Sequence, residues 1–277
     1  MMSARSWLFV PGDDPKKLEK ASERSADALI VDLEDAVPRH AKDESRHLVS
    51  EWLGNLPSSG PAVWVRVNNE AELLKDDVAA VVGPGLAGVV VPKVEDAAKA
   101  AWLTQLVGPD YGVVAMIETA GAVLTAASIA ATPGVTTLMV GEYDLAAELG
   151  IDPSPDRHEL APARAATVLA CAAAGIAAPI GPVAADFRDI DSFRASTEAL
   201  RREGHRGRAV IHPAQVGPAN EVFTPTSEEV AVAQRIIARY DAALAAGKGV
   251  GVDDDGRLID EAIVRGARQT IAAVGSR

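Results

Sequence analysis

Eight short runs rich in Val, Ile and Ala recur along the chain, and each is followed by a stretch with helical patterning. In order they are SWLFVPG (6–12), ALIVDLED (28–35), AVWVRVNN (62–69), GVVVPKV (88–94), GVVAMIET (112–119), TTLMVGEYD (136–144), APIGPVAADF (178–187) and RAVIHPAQV (208–216). Between them lie amphipathic segments such as DPKKLEKASERS and AKDESRHLVSEWL, whose apolar residues fall three and four apart. Asp14 before Pro15 reads as a helix N-cap with proline in the first turn. Eight strand–helix units in strict alternation predict an α/β fold of the (β/α)8 TIM-barrel type. A doubly wound open sheet also alternates, but its nucleotide-binding form carries a Gly-rich turn after the first strand. Here that turn reads VPGDDP, with no G-x-G-x-x-G and no P-loop anywhere, so the barrel is the favoured reading.

The barrel is expected over residues 1–220 and a C-terminal helical extension over 221–277. The extension holds a long helical segment, TSEEVAVAQRIIARYDAALAAG, then the Gly/Asp-rich KGVGVDDDGRLID, then EAIVRGARQTIAAV. It exceeds what barrel closure requires and reads as a lid or as an arm that packs on a neighbouring subunit. Aromatic residues make up only 4%, so the core must be built from Ala, Val, Leu and Ile, as suits a parallel sheet covered by helices. A net charge of −12 argues against a nucleic-acid partner, which would demand a basic face. The single cysteine, Cys171, excludes an internal disulfide and sits among small residues as core packing. No run approaches the ~20 apolar residues of a membrane span, and the start lacks a signal peptide's apolar stretch, so a cytoplasmic protein without a membrane partner is expected.

In such a barrel, catalytic groups stand at the C-terminal ends of the strands. The second run ends in Asp32, Glu34 and Asp35, the third in Arg66, the fourth at Lys93, the fifth at Glu118, the sixth at Glu142 and Asp144, and the eighth at His212. Carboxylates on two adjacent strands repel unless something neutralises them. A hard divalent cation such as Mg2+ does so, taking one or two carboxylates and filling its other positions with water and substrate oxygens. Glu118 and Asp144 suit that role, Glu142 is not excluded by spacing, and the competing reading is that these acids cap the helices that follow. Arg66 stands in a Val-lined run and should point into the mouth, either to grip a carboxylate in two parallel bonds or to pair internally with Asp32 or Glu34. His212, fixed by Pro213, reads equally as a base or as a supporting histidine. Lys93 reads as an anion contact or a solvated strand end.

Taken together, these motifs resemble the citrate lyase beta-subunit-like proteins of the HpcH/HpaI aldolase and malyl-CoA lyase family. RSWLFVPGDDPKKLEKA looks like the family's first strand and helix, and ALIVDLEDAVPRHAKDESR like its acidic second strand. VRVNN, VVVPKVE, MIETAGAV, GEYDLAAELG and IHPAQV follow in the family's order. The resemblance implies a homo-oligomer, trimer or hexamer, with Mg2+ held by Glu118 and Asp144. It implies that Arg66 grips a short 2-oxo acid such as oxaloacetate or glyoxylate, with Glu34 and Asp35 ordering waters on the metal. The partner substrate is a citryl- or malyl-type thioester of coenzyme A or of an acyl carrier. DGRLIDEA resembles a family segment whose aspartate is an acid or base in a neighbouring subunit's site, which carries a catalytic role onto Asp260; Leu258 and Ala262 depart from that segment's usual Met and Pro. Glu148 departs likewise from a common Asp.

The implied activity is a Mg2+-dependent carbon–carbon lyase. Malyl-CoA thioesterase or malate synthase chemistry on the same site is the alternative, and a non-catalytic or complex-dependent lyase subunit is a further one. A simpler aldolase acting on free pyruvate fits less well, since it has no need of the Asp260 segment. No phosphate-binding motif marks a nucleotide site; Arg5, Lys16 and Arg39 are the basic residues placed near the predicted mouth.

Overall fold

The computed structural model describes residues 4–57 and 59–275. Two compact units divide at Phe223 and Thr224. In the first, eight parallel strands close into a barrel in sequence order: β1 (Ser6–Pro11), β2 (Ala28–Asp32), β3 (Ala62–Arg66), β4 (Leu86–Val91), β5 (Gly112–Ile117), β6 (Val135–Val140), β7 (Ile180–Gly181) and β8 (Gly207–Val210). Closure is made by β1 pairing with β8, Ser6 opposite Arg208. Every one of the eight apolar runs contains a strand, although only two residues of the seventh are extended.

Helices cover the outside: α1 (Pro15–Ala21), α2 (Lys42–Gly54), α3 (Ala71–Val81), α4 (Ala97–Val107), α5 (Ala120–Ala130), α6 (Glu142–Leu149), α7 (Ala161–Ala174), α8 (Ile190–Glu203) and α9 (Val216–Phe223). Asp14 caps α1 as its sequence predicts, accepting from the amides of Lys16 and Lys17. Cys171 of α7 is buried, and burial pushes its thiol pKa up to about 11, which keeps it an inert part of the core.

Successive strand residues face opposite ways, so each strand feeds two apolar layers. One side packs on the helices through residues such as Leu29, Val31, Val65, Val89, Val91 and Ile117. The other side fills the barrel with Trp7, Ile30, Trp64, Val90, Val114, Met116, Met139 and Ile180. The rings of Trp7 and Trp64 meet at 5.5 Å between centroids. A β-carbon at Gly112 would lie 2.7 Å from the Trp64 ring, so a small residue there makes room for a large one. Truncating a core ring of this kind costs about 3–5 kcal/mol.

The second unit contains α10 (Ser227–Ala245), a two-stranded antiparallel ribbon of β9 (Gly251–Val252) and β10 (Leu258–Ile259), and α11 (Glu261–Gly275). Thr226 and Glu229 form a reciprocal capping box at the start of α10. Tyr240, Ile259 and Val264 make this unit's own small core. The Gly/Asp-rich stretch is therefore a hairpin: Asp253 Oδ1 accepts from the amides of Asp255 and Arg257, and Gly256 turns the chain with φ 76°.

Candidate active site at the C-terminal rim of the barrel

The inward columns of the strands end in charge. Two residues beyond Ile30 stands Asp32, two beyond Trp64 stands Arg66, and two beyond Met116 stands Glu118. The two-residue period that buries the barrel's apolar side chains thus aims these three into its mouth. A cavity of ≈ 450 Å³ opens there, lined by Phe9, Arg66, Met116, Glu118, Met139 and Asp144 among others. A second cavity, of ≈ 390 Å³, lies along α10 and α11, but of its two acids Glu229 is already committed to the capping box.

Arg66 is the hub of the acidic second strand. Its Nε and Nη2 donate to the two oxygens of Asp32 at 2.8 and 2.7 Å, while Nη1 lies 2.9 Å from Glu34 Oε2 and 3.3 Å from Asp35 Oδ2. Its guanidinium also stands 5.1 Å from the Phe9 ring centroid. The internal pairing is therefore realised, and the fork's two parallel bonds go to Asp32. Burial opposes the Arg66 charge, but the Asp32 bonds with Glu34 and Asp35 nearby hold its pKa above the ordinary value. Glu34 is pushed up to about 7 by burial, against the pull of Arg66 and with the neighbouring acids adding to the shift.

The loop carrying these acids is held from behind. Asp32 accepts from the amides of Glu34 and Ala36, and buried Lys42 donates to the carbonyls of Leu33 and Glu34 at 2.6 and 2.7 Å. Asn68 donates to the Leu33 carbonyl and to Asp77, which in turn accepts from Arg46. Lys42, Asp77 and Arg46 escape sequence reading because each lies in a helix where a charge ordinarily faces solvent.

Glu118 and Asp144 come from neighbouring strand ends, β5 and β6 being paired with Met116 opposite Met139. Neither side chain makes a helix cap: Thr119 caps α5 through the Ala122 amide, and α6 has no side-chain cap bond. Glu118 is 3% exposed, and its Oε2 accepts from the Lys93 amide at 2.9 Å. Burial raises its pKa, the Lys93 amide opposes this, and nearby Asp144 adds to the rise. Lys93 Nζ lies 3.0 Å from Asp144 Oδ1, which raises the lysine's pKa. Lys93 is thus a contact of the two acids and not a merely solvated strand end.

Glu142 has a different occupation. It is 1% exposed and lies between Arg157 Nε and Arg164 Nη1, both at 2.7 Å, with Arg164 also bound to Glu203. The two arginines answer its charge, leaving Asp144 as the acid of the sixth strand without an arginine partner among the contacts of the described residues. His212 is not among the cavity's lining residues: it stacks on Phe187 at 4.5 Å and caps a short turn by accepting from the Ala214 amide. Arg5 lies before β1 at the opposite end of the barrel, bound to Asp27, so its predicted place near the mouth is corrected. Arg39 is on the mouth side but pairs with Glu70 at 3.0 Å. Glu148 reaches the Ala120 amide at 3.3 Å, a supplementary contact at the start of α5. Asp260, in the second unit, accepts from the Ile263 amide at 3.0 Å and caps α11; Ala262 lies in that helix's first turn, where proline is equally accommodated.

Fold and rim together define the class: a (β/α)8 barrel whose C-terminal mouth gathers two carboxylates from adjacent strands beside an anchored arginine. The chain belongs to the HpcH/HpaI aldolase/citrate lyase family, whose model matches residues 5–213. It is 40% identical over 269 residues to a (3S)-malyl-CoA thioesterase of Cereibacter sphaeroides, covering 97% of this chain and 93% of the relative. It is 32% identical over 294 residues to an L-malyl-CoA/beta-methylmalyl-CoA lyase of the same species, covering 95% and 92%. The crystal structure of CitE from Mycobacterium tuberculosis, in complex with magnesium, acetoacetate and coenzyme A, superposes with a TM-score of 0.82 at 27% identity, over 99% of each chain. No helix among the described residues is long and apolar enough to cross a membrane.

Proposed function

We propose that this protein is a Mg2+-dependent enzyme acting on a malyl- or citryl-type thioester of coenzyme A, cleaving or forming the carbon–carbon bond to a short 2-oxo acid such as glyoxylate or oxaloacetate. The observation that carries this reading is the convergence of Glu118 and Asp144 on one cavity, beside Arg66. The donor set fits the ion. Both candidate ligands are carboxylates, and the residues lining the cavity include neither cysteine nor histidine. Two carboxylates with room for water and substrate oxygens is how Mg2+ is usually held.

Glu118 and Asp144 would hold Mg2+, which when bound supplies Lewis-acid polarisation of the oxo acid's α-oxygen. Arg66, oriented by Asp32, presents its Nη1 edge toward Glu34 and Asp35, where a substrate carboxylate would compete for it. The loop bonds from Lys42 and Asn68 keep this edge in place, so orientation is built before substrate arrives. The apolar wall of Phe9, Met116, Met139 and Val183 excludes water from one side of the cavity. Asp260, carried on the start of α11, is the proposed group that moves the proton at the thioester's α-carbon, acting from a neighbouring copy in a homo-oligomer, trimer or hexamer.

A second reading, hydrolysis of the thioester in the same site, is favoured by the 40% identity to a (3S)-malyl-CoA thioesterase. One product analysis separates the two. Incubated with malyl-CoA and citryl-CoA in the presence of Mg2+, the purified protein should release acetyl-CoA with glyoxylate or oxaloacetate. Free malate or citrate with coenzyme A would establish hydrolysis instead. Turnover unchanged by chelation or by Glu118→Gln would defeat both.

A further inference from the structure

Lys93 touches both candidate metal ligands, and it does so from an unusual backbone. Its φ is 50°, the left-handed region that a non-glycine residue occupies at a cost of about 1–3 kcal/mol. The turn is held from α4, where Lys99 Nζ donates to the Lys93 carbonyl at 2.9 Å and to Asn69. In this conformation the Lys93 amide points at Glu118 Oε2, 2.9 Å away, while its side chain reaches the other acid, with Nζ 3.0 Å from Asp144 Oδ1. One residue therefore fixes Glu118 through the backbone and neutralises Asp144 through the side chain. The two functions are separable, because only the second depends on which side chain stands at 93.

Resting on the reading of Glu118 and Asp144 as metal ligands, we propose that the Lys93 ammonium is a built-in competitor for the divalent cation at Asp144, and that Lys99 is the positioning residue that keeps it there. The ammonium sits on Asp144 Oδ1, so a divalent cation drawn to the same carboxylate competes with it for that oxygen and is repelled by its charge for as long as it stays there. The pair is open to water, with side chains 41% and 47% exposed, so the competition is modest and reversible. Until a cation arrives, the lysine relieves the repulsion that Asp144 exerts on buried Glu118. Once displaced, it leaves a mobile positive charge beside a mouth whose proposed substrates are anions.

The test uses Mn2+ as the probe, with its free concentration read by electron paramagnetic resonance on the full chain. Lys93→Met, which keeps the hydrogen bond from the backbone N–H to Glu118 Oε2 and removes the ammonium, should bind Mn2+ about two- to fivefold more tightly than the unaltered protein. Lys93→Arg, which restores a cation, should return affinity to within about twofold of the unaltered protein. Lys99→Met should share part of the gain by loosening the turn. If Lys93→Met folds poorly, Lys93→Gly makes the same comparison, since glycine adopts this φ without strain. Unchanged or weaker Mn2+ binding in the Met and Gly variants would overturn the proposal. Loss of Mn2+ binding in Glu118→Gln and Asp144→Asn is the separate check on the ligand assignment; if both bind normally, that assignment fails and the Lys93 proposal with it.

Discussion

Gly141 and Glu118 occupy each other's space: a β-carbon on Gly141 would stand 2.2 Å from Glu118 Oε1 and 2.4 Å from its Cγ. No side chain fits there unless the glutamate moves. The buried carboxylate is thus located from two sides, by the Lys93 amide on Oε2 and by the bare backbone of Gly141 against Oε1.

Gly141→Ala is accordingly expected to displace Glu118 while leaving the barrel folded. Mn2+ affinity should fall at least tenfold, and turnover of a malyl thioester by about 10²-fold, the scale of a misplaced catalytic contact. Titration of the variant with Mn2+, beside a circular dichroism melt, checks this. Native affinity would mean that Glu118 has room the geometry denies it.

Asp32 holds Arg66 with both oxygens, and the two side chains are only 5% and 12% exposed. Asp32→Asn keeps the shape but removes the charge that the guanidinium answers, and breaking a buried pair from one side costs about 3–5 kcal/mol. Partial exposure of the site places the expected loss toward the lower end of that range. KM for the oxo acid should rise as Arg66 swings toward Glu34 and Asp35, and urea melts with initial-rate kinetics measure both effects.

Glu142 separates structural acids from chemical ones. Glu142→Ala takes the carboxylate from Arg157 and leaves the buried Arg164 with Glu203 alone, and should destabilise the fold by about 3 kcal/mol. Mn2+ binding by the folded fraction should be unchanged, because Asp144 and Glu118 remain. A loss of Mn2+ affinity comparable with that of Asp144→Asn would return Glu142 to the list of ligands.

Glu34 and His205 move the pH dependence of stability in opposite directions. The pKa of Glu34 is about 7 in the folded chain against an ordinary 4.5, so the folded state binds the extra proton between these values. Stability from this group is then present below about pH 4.5 and lost as pH rises toward 7 in the metal-free protein. His205 works in the opposite direction: burial lowers its pKa to about 4, so its contribution is lost as pH falls below the ordinary 6.5. The slopes partly cancel in the unaltered protein. Glu34→Gln removes only the first, and its stability relative to the unaltered chain should increase with pH across 4.5–7. Chemical melts at several pH values, compared as differences, test this; a flat difference contradicts it.

What the sequence by itself determined was the architecture and the population of the rim. Eight apolar runs in alternation with amphipathic segments admit few folds, and the barrel rule then places every strand's last polar residue on one face. For Arg66 the Val-lined run also implied an inward aim, whereas for Asp32 and Glu118 both strand faces are apolar and only the folded barrel shows that the column of Ile30 and Met116 is the inner one. Which acid answers which cation was decided by tertiary structure alone. Arg157 and Arg164 follow Glu142 by 15 and 22 residues, Arg66 follows Asp32 by 34, and no periodicity along a strand or helix relates residues so far apart. Charge pairing falls off over a few ångströms and needs both partners delivered by the closed barrel, so Glu142 and Asp144, two residues apart in one motif, acquire opposite occupations only once the chain has folded.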